Sequence, residues 1–165
     1  MRMEVPTRVR LTRAAAEQLA ELQRRTGPVM FHQSGGCCDG SSPMCYPDGD
    51  FVVGDRDVLL GLLDVTCERQ PEGVPVWISG PQFDVWKHTQ LVIDLVAGRG
   101  SGFSLEAPDG VRFLSRGRAF TAAETEQLAQ LPAITGAQFE QGVRPPGPRG
   151  DIVAHAADAC PIPNR

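Results

Sequence analysis

Val29-Met30-Phe31-His32-Gln33-Ser34-Gly35-Gly36-Cys37-Cys38-Asp39-Gly40-Ser41-Ser42-Pro43-Met44-Cys45-Tyr46-Pro47 is the stretch on which the reading of this chain turns. Residues 29–34 are dominated by apolar side chains and predict a short strand. They run straight into glycine, cysteine, serine and proline, so the remainder to Pro47 is expected to be an irregular loop. Loops displayed by a rigid scaffold are where function concentrates. Upstream, Thr12 can cap a helix whose apolar face is Ala15, Leu19 and Leu22, and Gly27-Pro28 stops it. Downstream, strand signals recur at 51–53, 58–63, 74–79, 89–97, 103–106 and 111–114. Ser79-Gly80-Pro81-Gln82 opens one short helix among them. The pattern predicts an α+β fold: mainly an antiparallel β-sandwich with an N-terminal helix, one short inserted helix and a C-terminal helix.

A boundary falls near Phe120. Thr121-Ala122-Ala123-Glu124 is a capping box that opens a helix carrying Leu128 and Leu131, and Pro132 stops it. Beyond Gly142 proline and glycine dominate, and such a segment cannot bury a core. The expected organisation is a domain over 1–120, a helical extension over 121–142 and a mobile tail over 143–165.

The chain has 165 residues, 41% hydrophobic and 22% charged, which suits one globular domain and excludes collagen, coiled coil and full-length disorder. A net charge of −4 argues against a nucleic-acid partner, which would need a basic stripe. Residues 1–18 carry Arg, Glu and Thr where a signal peptide would place an apolar run. The most apolar stretch, 91–97, is interrupted by Asp94 and falls far short of the ~20 residues a spanning helix needs. The expectation is a cytoplasmic protein with no membrane partner. In that reducing compartment the five cysteines are read as thiols or metal ligands rather than structural disulfides.

Three of them, Cys37, Cys38 and Cys45, form the pattern C-C-x6-C, with His32 just upstream. Successive glycines allow backbone amides to converge on an anion, which favours the thiolate form. Zinc and iron both accept Cys and His ligands. His32, Cys37, Cys38 and Cys45 are therefore the candidate metal ligands, while a reactive thiol without metal and inert packing stay open beside that reading. Adjacent cysteines in an extended segment point opposite ways, so one of Cys37 and Cys38 can reach a site more easily than both. Lys87 and His88 could bring a cation or a further ligand, or simply face water. Gly98-Arg99-Gly100-Ser101-Gly102 reads as a turn rather than a phosphate cradle, because a strand and not a helix is expected after it. Cys67 and Cys160 have no motif around them.

The cysteine loop, together with Trp86-Lys87-His88-Thr89-Gln90 and the segment from Gly98 to Glu106, resembles an uncharacterised bacterial family often encoded beside aldehyde dehydrogenases. The resemblance runs from about Leu11 to Phe120. It implies an accessory role in aldehyde or alcohol oxidation, with an aldehyde dehydrogenase as partner. More distantly, the helix, strand, Gly-Gly-Cys loop and late Gly-Ser-Gly-Phe-Ser-Leu-Glu segment are similar to the HesB-like A-type iron–sulfur carriers. That likeness implies a small β-sandwich, a ligand role for Cys38, an iron–sulfur cluster as a further cofactor and a homo-oligomer. The carriers' C-terminal Cys-Gly-Cys pair has no counterpart here, since the next cysteine after Glu106 is Cys160. Cys37 and Cys45 are expected to substitute in a mononuclear zinc or iron site.

The sequence thus points to a small metal- or thiol-binding accessory protein more than to an enzyme. The rival is catalysis, with Cys38 as a thiolate nucleophile toward aldehydes, activated by His32 or His88.

Overall fold

Thr12 ends one element and begins the next. In the computed structural model, which describes residues 5–33, 42–98 and 103–159, strand β1 (Val9–Thr12) runs directly into helix α1 (Arg13–Thr26). The Thr12 side chain accepts the Ala15 N–H, as its N-cap position requires, and Gly27, at φ 94°, ends the helix. Ala15, Ala16, Leu19 and Leu22 form the buried face.

The chain continues through β2 (Val29–Gln33), β3 (Met44–Pro47), β4 (Val58–Leu63), β5 (Val74–Ile78), α2 (Gly80–Trp86), β6 (Thr89–Ala97) and β7 (Val111–Ala119). It ends in α3 (Ala122–Ala129), β8 (Ile134–Thr135), α4 (Gly136–Glu140) and β9 (Ile152–Val153). Two sheets result, in the orders β7-β6-β1-β9 and β3-β2-β5-β4-β8. The α+β class stands, and the sheets are mixed rather than purely antiparallel: four strand pairs are antiparallel and three parallel. The β1–β6, β1–β9 and β2–β5 pairs are parallel. Parallel neighbours need crossover connections. Here α1 carries the chain from one sheet to the other, and α2 carries it back.

One core joins the inward side chains of both sheets to the buried face of α1. Val9, Leu91, Ile93 and Phe113 come from the first sheet, and Val29, Phe31, Val76 and Ile78 from the second. Phe31 and Phe113 meet edge to face across it, centroids 4.9 Å apart. A second cluster covers the other face of the five-stranded sheet: Met30, Leu59, Trp77 and Ile134, overlaid by Tyr46, Phe51, Val53 and Phe139. Residues 51–53, expected to be a strand, are not one; Phe51 and Val53 belong to this cover, packing onto the sheet rather than pairing within it, and Val52 between them is exposed. Residues 103–106, likewise expected to be a strand, form turns that lead into a 3-10 turn at Ala107–Asp109.

The two C-terminal segments are built into the sheets. Thr121 and Glu124 make the expected capping box, and the extension then lays β8 against β4. The described part of the segment expected as a mobile tail, up to residue 159, is held along both sheets. Gly150 donates its N–H to Leu62 O at 2.7 Å and accepts from Asp64 N at 2.9 Å. β9 then pairs with β1, and Asp151 binds Arg10 with two bonds of 2.7 Å. Its proline and glycine content prevents a helix yet leaves an extended backbone able to hydrogen-bond.

Gly150 has no room for a side chain: a Cβ there would meet Val9 O at 2.3 Å. Gly150→Ala is therefore expected to destabilise the fold by about 1–3 kcal/mol, the range for overpacking a closed site. Urea unfolding measures this, and an unchanged midpoint would mean that the 143–159 segment contributes nothing to stability.

Candidate functional site

The register of one hairpin decides which candidate residues meet. β2 and β3 are antiparallel, with Phe31 opposite Cys45 and His32 opposite Met44. Successive side chains on a strand point to opposite faces. Cys45 consequently joins Phe31 in the core between the sheets, fully buried. His32 lies on the other face, its ring tilted against Phe51 at 4.5 Å. The structure does not bring His32 and Cys45 together. Sequence alone reads 35–47 as one irregular loop, which has no register by which to separate them, whereas Met44–Pro47 is a strand.

His32 is 4% exposed, and its Nε2 lies 3.0 Å from Asp57 Oδ2. The same carboxylate oxygen accepts the Gly54 N–H at 2.9 Å, so Asp57 holds both the imidazole and the 51–57 segment that covers it. A carboxylate partner that fixes the tautomer is the usual companion of a histidine that binds metal or accepts a proton. Asp57 carried no signal in the sequence reading, since it lies 25 residues from His32 in a segment rich in Asp and Gly.

Cys45 is built into a different network. Its N–H donates to Ser104 Oγ at 2.9 Å, its C=O accepts from Leu105 N at 3.0 Å, and the Ser104 hydroxyl donates to Glu106 Oε2. Phe113 N completes the set, donating to Glu106 Oε1 at 3.3 Å. Glu106 is 1% exposed. Burial pushes its carboxyl above the ordinary range, against the hydrogen bonds from Ser104 and Phe113 that pull it down. Burial also drives the Cys45 thiol well above its usual value, and the Glu106 charge adds to this. A thiol held protonated in the core is a poor nucleophile and a poor metal ligand.

Cys37 and Cys38 lie outside the described residues, but both flanks of their segment are held. Ser115 donates to Gln33 Oε1 at 2.8 Å, with both residues fully buried. Arg112 Nη1 donates to Ser42 Oγ at 2.9 Å. Both anchors come from β7. His88, considered as a further ligand, sits in the turn that precedes β6, whereas Arg112 pairs with Val96 near the far end of that strand. Eight residue steps along the strand separate the two positions by roughly 26 Å. Cys67 is half-buried and pairs its backbone with Gln70. Cys160 and the turn at 99–102 are outside the described residues. Among the described residues, no group of three or more His, Cys, Asp or Glu side chains is placed to hold a metal ion, and no helix is long and apolar enough to cross a membrane.

Fold and site together define a small α+β domain of two mixed sheets that grips both flanks of a cysteine-containing segment from one strand. The chain belongs to the family described as a domain of unknown function, DUF779, whose model matches residues 18–119. That span runs from within α1 to the last residue of β7 and contains the candidate segment, Asp57, Ser104, Glu106 and Arg112. No match was found among curated proteins or among solved structures.

Glu106 gives the site a pH signature. Its folded value is raised above the ordinary 4.5, so the folded state holds a proton that the unfolded state releases first. The stabilisation is complete below about pH 4.5 and is lost as pH rises through the folded value. Urea midpoints compared from about pH 4 to about pH 8 should therefore show Glu106→Gln gaining on the wild type as pH rises. Parallel curves would place the carboxyl outside the core.

Proposed function

We propose that this protein is a small metal- or thiol-binding accessory protein whose working groups are the thiols of Cys37 and Cys38, with His32 as the neighbouring imidazole. The observation that carries the reading is the pair of anchors from β7, Ser115 on Gln33 and Arg112 on Ser42. Buried and charged partners committed to the described residues on either side of the cysteines support a working role for the segment between them. His32 lies two residues before the segment, with its imidazole oriented by Asp57. As a metal donor set, His32, Cys37 and Cys38 suit zinc or iron; Cys45, buried on the opposite face, is left out of it. The resemblance to a family encoded beside aldehyde dehydrogenases supports an accessory role in aldehyde or alcohol oxidation, with such an enzyme as partner. The distant likeness to A-type carriers supports iron, alone or as a cluster.

A second reading is favoured by one observation, the His32–Asp57 pair. An imidazole held by a carboxylate can take the proton of a nearby thiol, so Cys38 would attack an electrophile such as an aldehyde as the thiolate.

Untagged protein purified without oxygen is expected to carry near-stoichiometric zinc or iron by elemental analysis. Cys38→Ser should lose the metal, and Cys45→Ser should keep it while losing stability. Metal-free protein whose Cys37 and Cys38 alkylate at once would sink the metal reading and leave the nucleophile. Metal lost equally in Cys45→Ser and in Cys38→Ser, with the fold intact by circular dichroism, would show that Cys45 belongs to the site after all.

A further inference from the structure

Away from the cysteine segment, the outer face of the five-stranded sheet carries a cleft of about 300 Å³. Its floor is Met30, Pro75 and Trp77, and two chain segments form its walls. The walls meet where α4 begins: Gly136 N donates to Asp57 O at 2.9 Å, and a Cβ on Gly136 would lie 2.2 Å from Gly54 O. From that junction one wall runs back through Val53, Val52 and Phe51 to Asp48, and the other runs on through Phe139 to Glu140. The rings are braced from behind. Phe51 stacks on Tyr46 at 4.8 Å, and Phe139 stands edge-on to Trp77 at 5.2 Å. Val52 is 87% exposed at the rim.

The charge in this cleft is of one sign. Asp48 and Glu140 are its two ionisable lining residues, and neither forms an ion pair among the described residues. Partial shielding pushes the Asp48 carboxyl up from its ordinary value, against the hydrogen bond it accepts from the Gly49 N–H. Two exposed carboxylates on opposite walls of an aromatic-lined cleft give it a negative potential that a bound cation would complement. Asp48 also borders a neighbouring cleft lined by Arg69 and Arg144, but no ion pair joins it to either among the described residues; Arg144 stacks on Phe139 at 3.7 Å with its guanidinium bound to Glu72. The aromatic wall is therefore one that already takes a cation on its flank.

We propose that this cleft binds a small organic ammonium compound, its charge between Asp48 and Glu140 and its alkyl or aryl part against Trp77, Phe51 and Phe139. Volume, aromatic lining and a few convergent polar groups match the general form of small-molecule sites, and ring faces with paired carboxylates select a cation over its neutral isostere. Phe51 also touches His32, so an occupant would press on the ring that covers the His32–Asp57 pair. The proposal is independent of the reading of the cysteine segment.

The test uses the full chain, choline as the probe and 3,3-dimethylbutan-1-ol as its uncharged isostere, followed by NMR at the two tryptophan indoles. Choline should shift the Trp77 indole saturably and leave Trp86, which belongs to the core between the sheets, unmoved. The isostere should bind about tenfold more weakly, and Asp48→Asn with Glu140→Gln should remove a similar factor, the loss of one charge-assisted contact. Both substitutions are at exposed positions, so an unchanged thermal midpoint keeps the result interpretable. Equal affinity for choline and its isostere, an unaffected double variant, or no Trp77 shift up to about 100 mM would overturn the proposal; affinities weaker than that correspond to little more than 1 kcal/mol.

Discussion

The peptide group of Cys45 is where the two ends of this fold are tied together. β3 is an edge strand, and an edge strand leaves every second backbone N–H and C=O without a partner in its sheet. At Cys45 both are taken by the turn at 103–106, through Ser104 Oγ and Leu105 N. That turn is itself fixed by Glu106, which accepts from Ser104 and from Phe113 on β7. One buried carboxylate thus links an edge of the second sheet to an edge of the first. The aromatic contact of Phe31 with Phe113 packs just inside this link.

Strand alternation then divides the chemistry into two compartments. The interior one contains Cys45, Ser104 and Glu106 and is closed to water. The outer one contains His32, Asp57 and Phe51 and is covered by a single layer of side chains. Groups one residue apart along paired strands are separated by the thickness of the sheet, which a sequence pattern such as C-C-x6-C does not convey. A thiol on the interior side contributes as a small apolar group, while the imidazole on the outer side is held by a carboxylate.

Local signals were legible where chemistry is local. The caps at Thr12, Ser79 and Thr121 were each readable from a hydroxyl residue and its neighbours three positions on, and each is present. The strands at 58–63 and 89–97 were bounded correctly because their apolar runs end at polar or glycine residues. What failed was pairing. The 103–106 segment alternates like a strand, yet Ser104 and Glu106 point inward to make hydrogen bonds rather than to pack. The 143–159 segment has the composition of a linker, yet its backbone completes a sheet. Of the site, the cysteines and His32 stood out by residue type, whereas Asp57, Ser115 and Arg112 acquire meaning only through contacts 25, 82 and 70 residues away.

The position of β1 has a consequence for how this protein is made. It lies inside its sheet, between β6 and β9, and its contacts to them span 82 residues at Thr12–Asp94 and 141 at Arg10–Asp151. A strand whose neighbours are so far downstream leaves the ribosome long before either exists. Contacts of this separation slow folding and lengthen the exposure of unpaired strand. For most of its synthesis the nascent chain presents Val9 and Leu11 without a sheet to enter. That makes β1 the segment a chaperone would shield, and it makes premature release of the chain before residue 152 a route to aggregation rather than to a shorter folded domain.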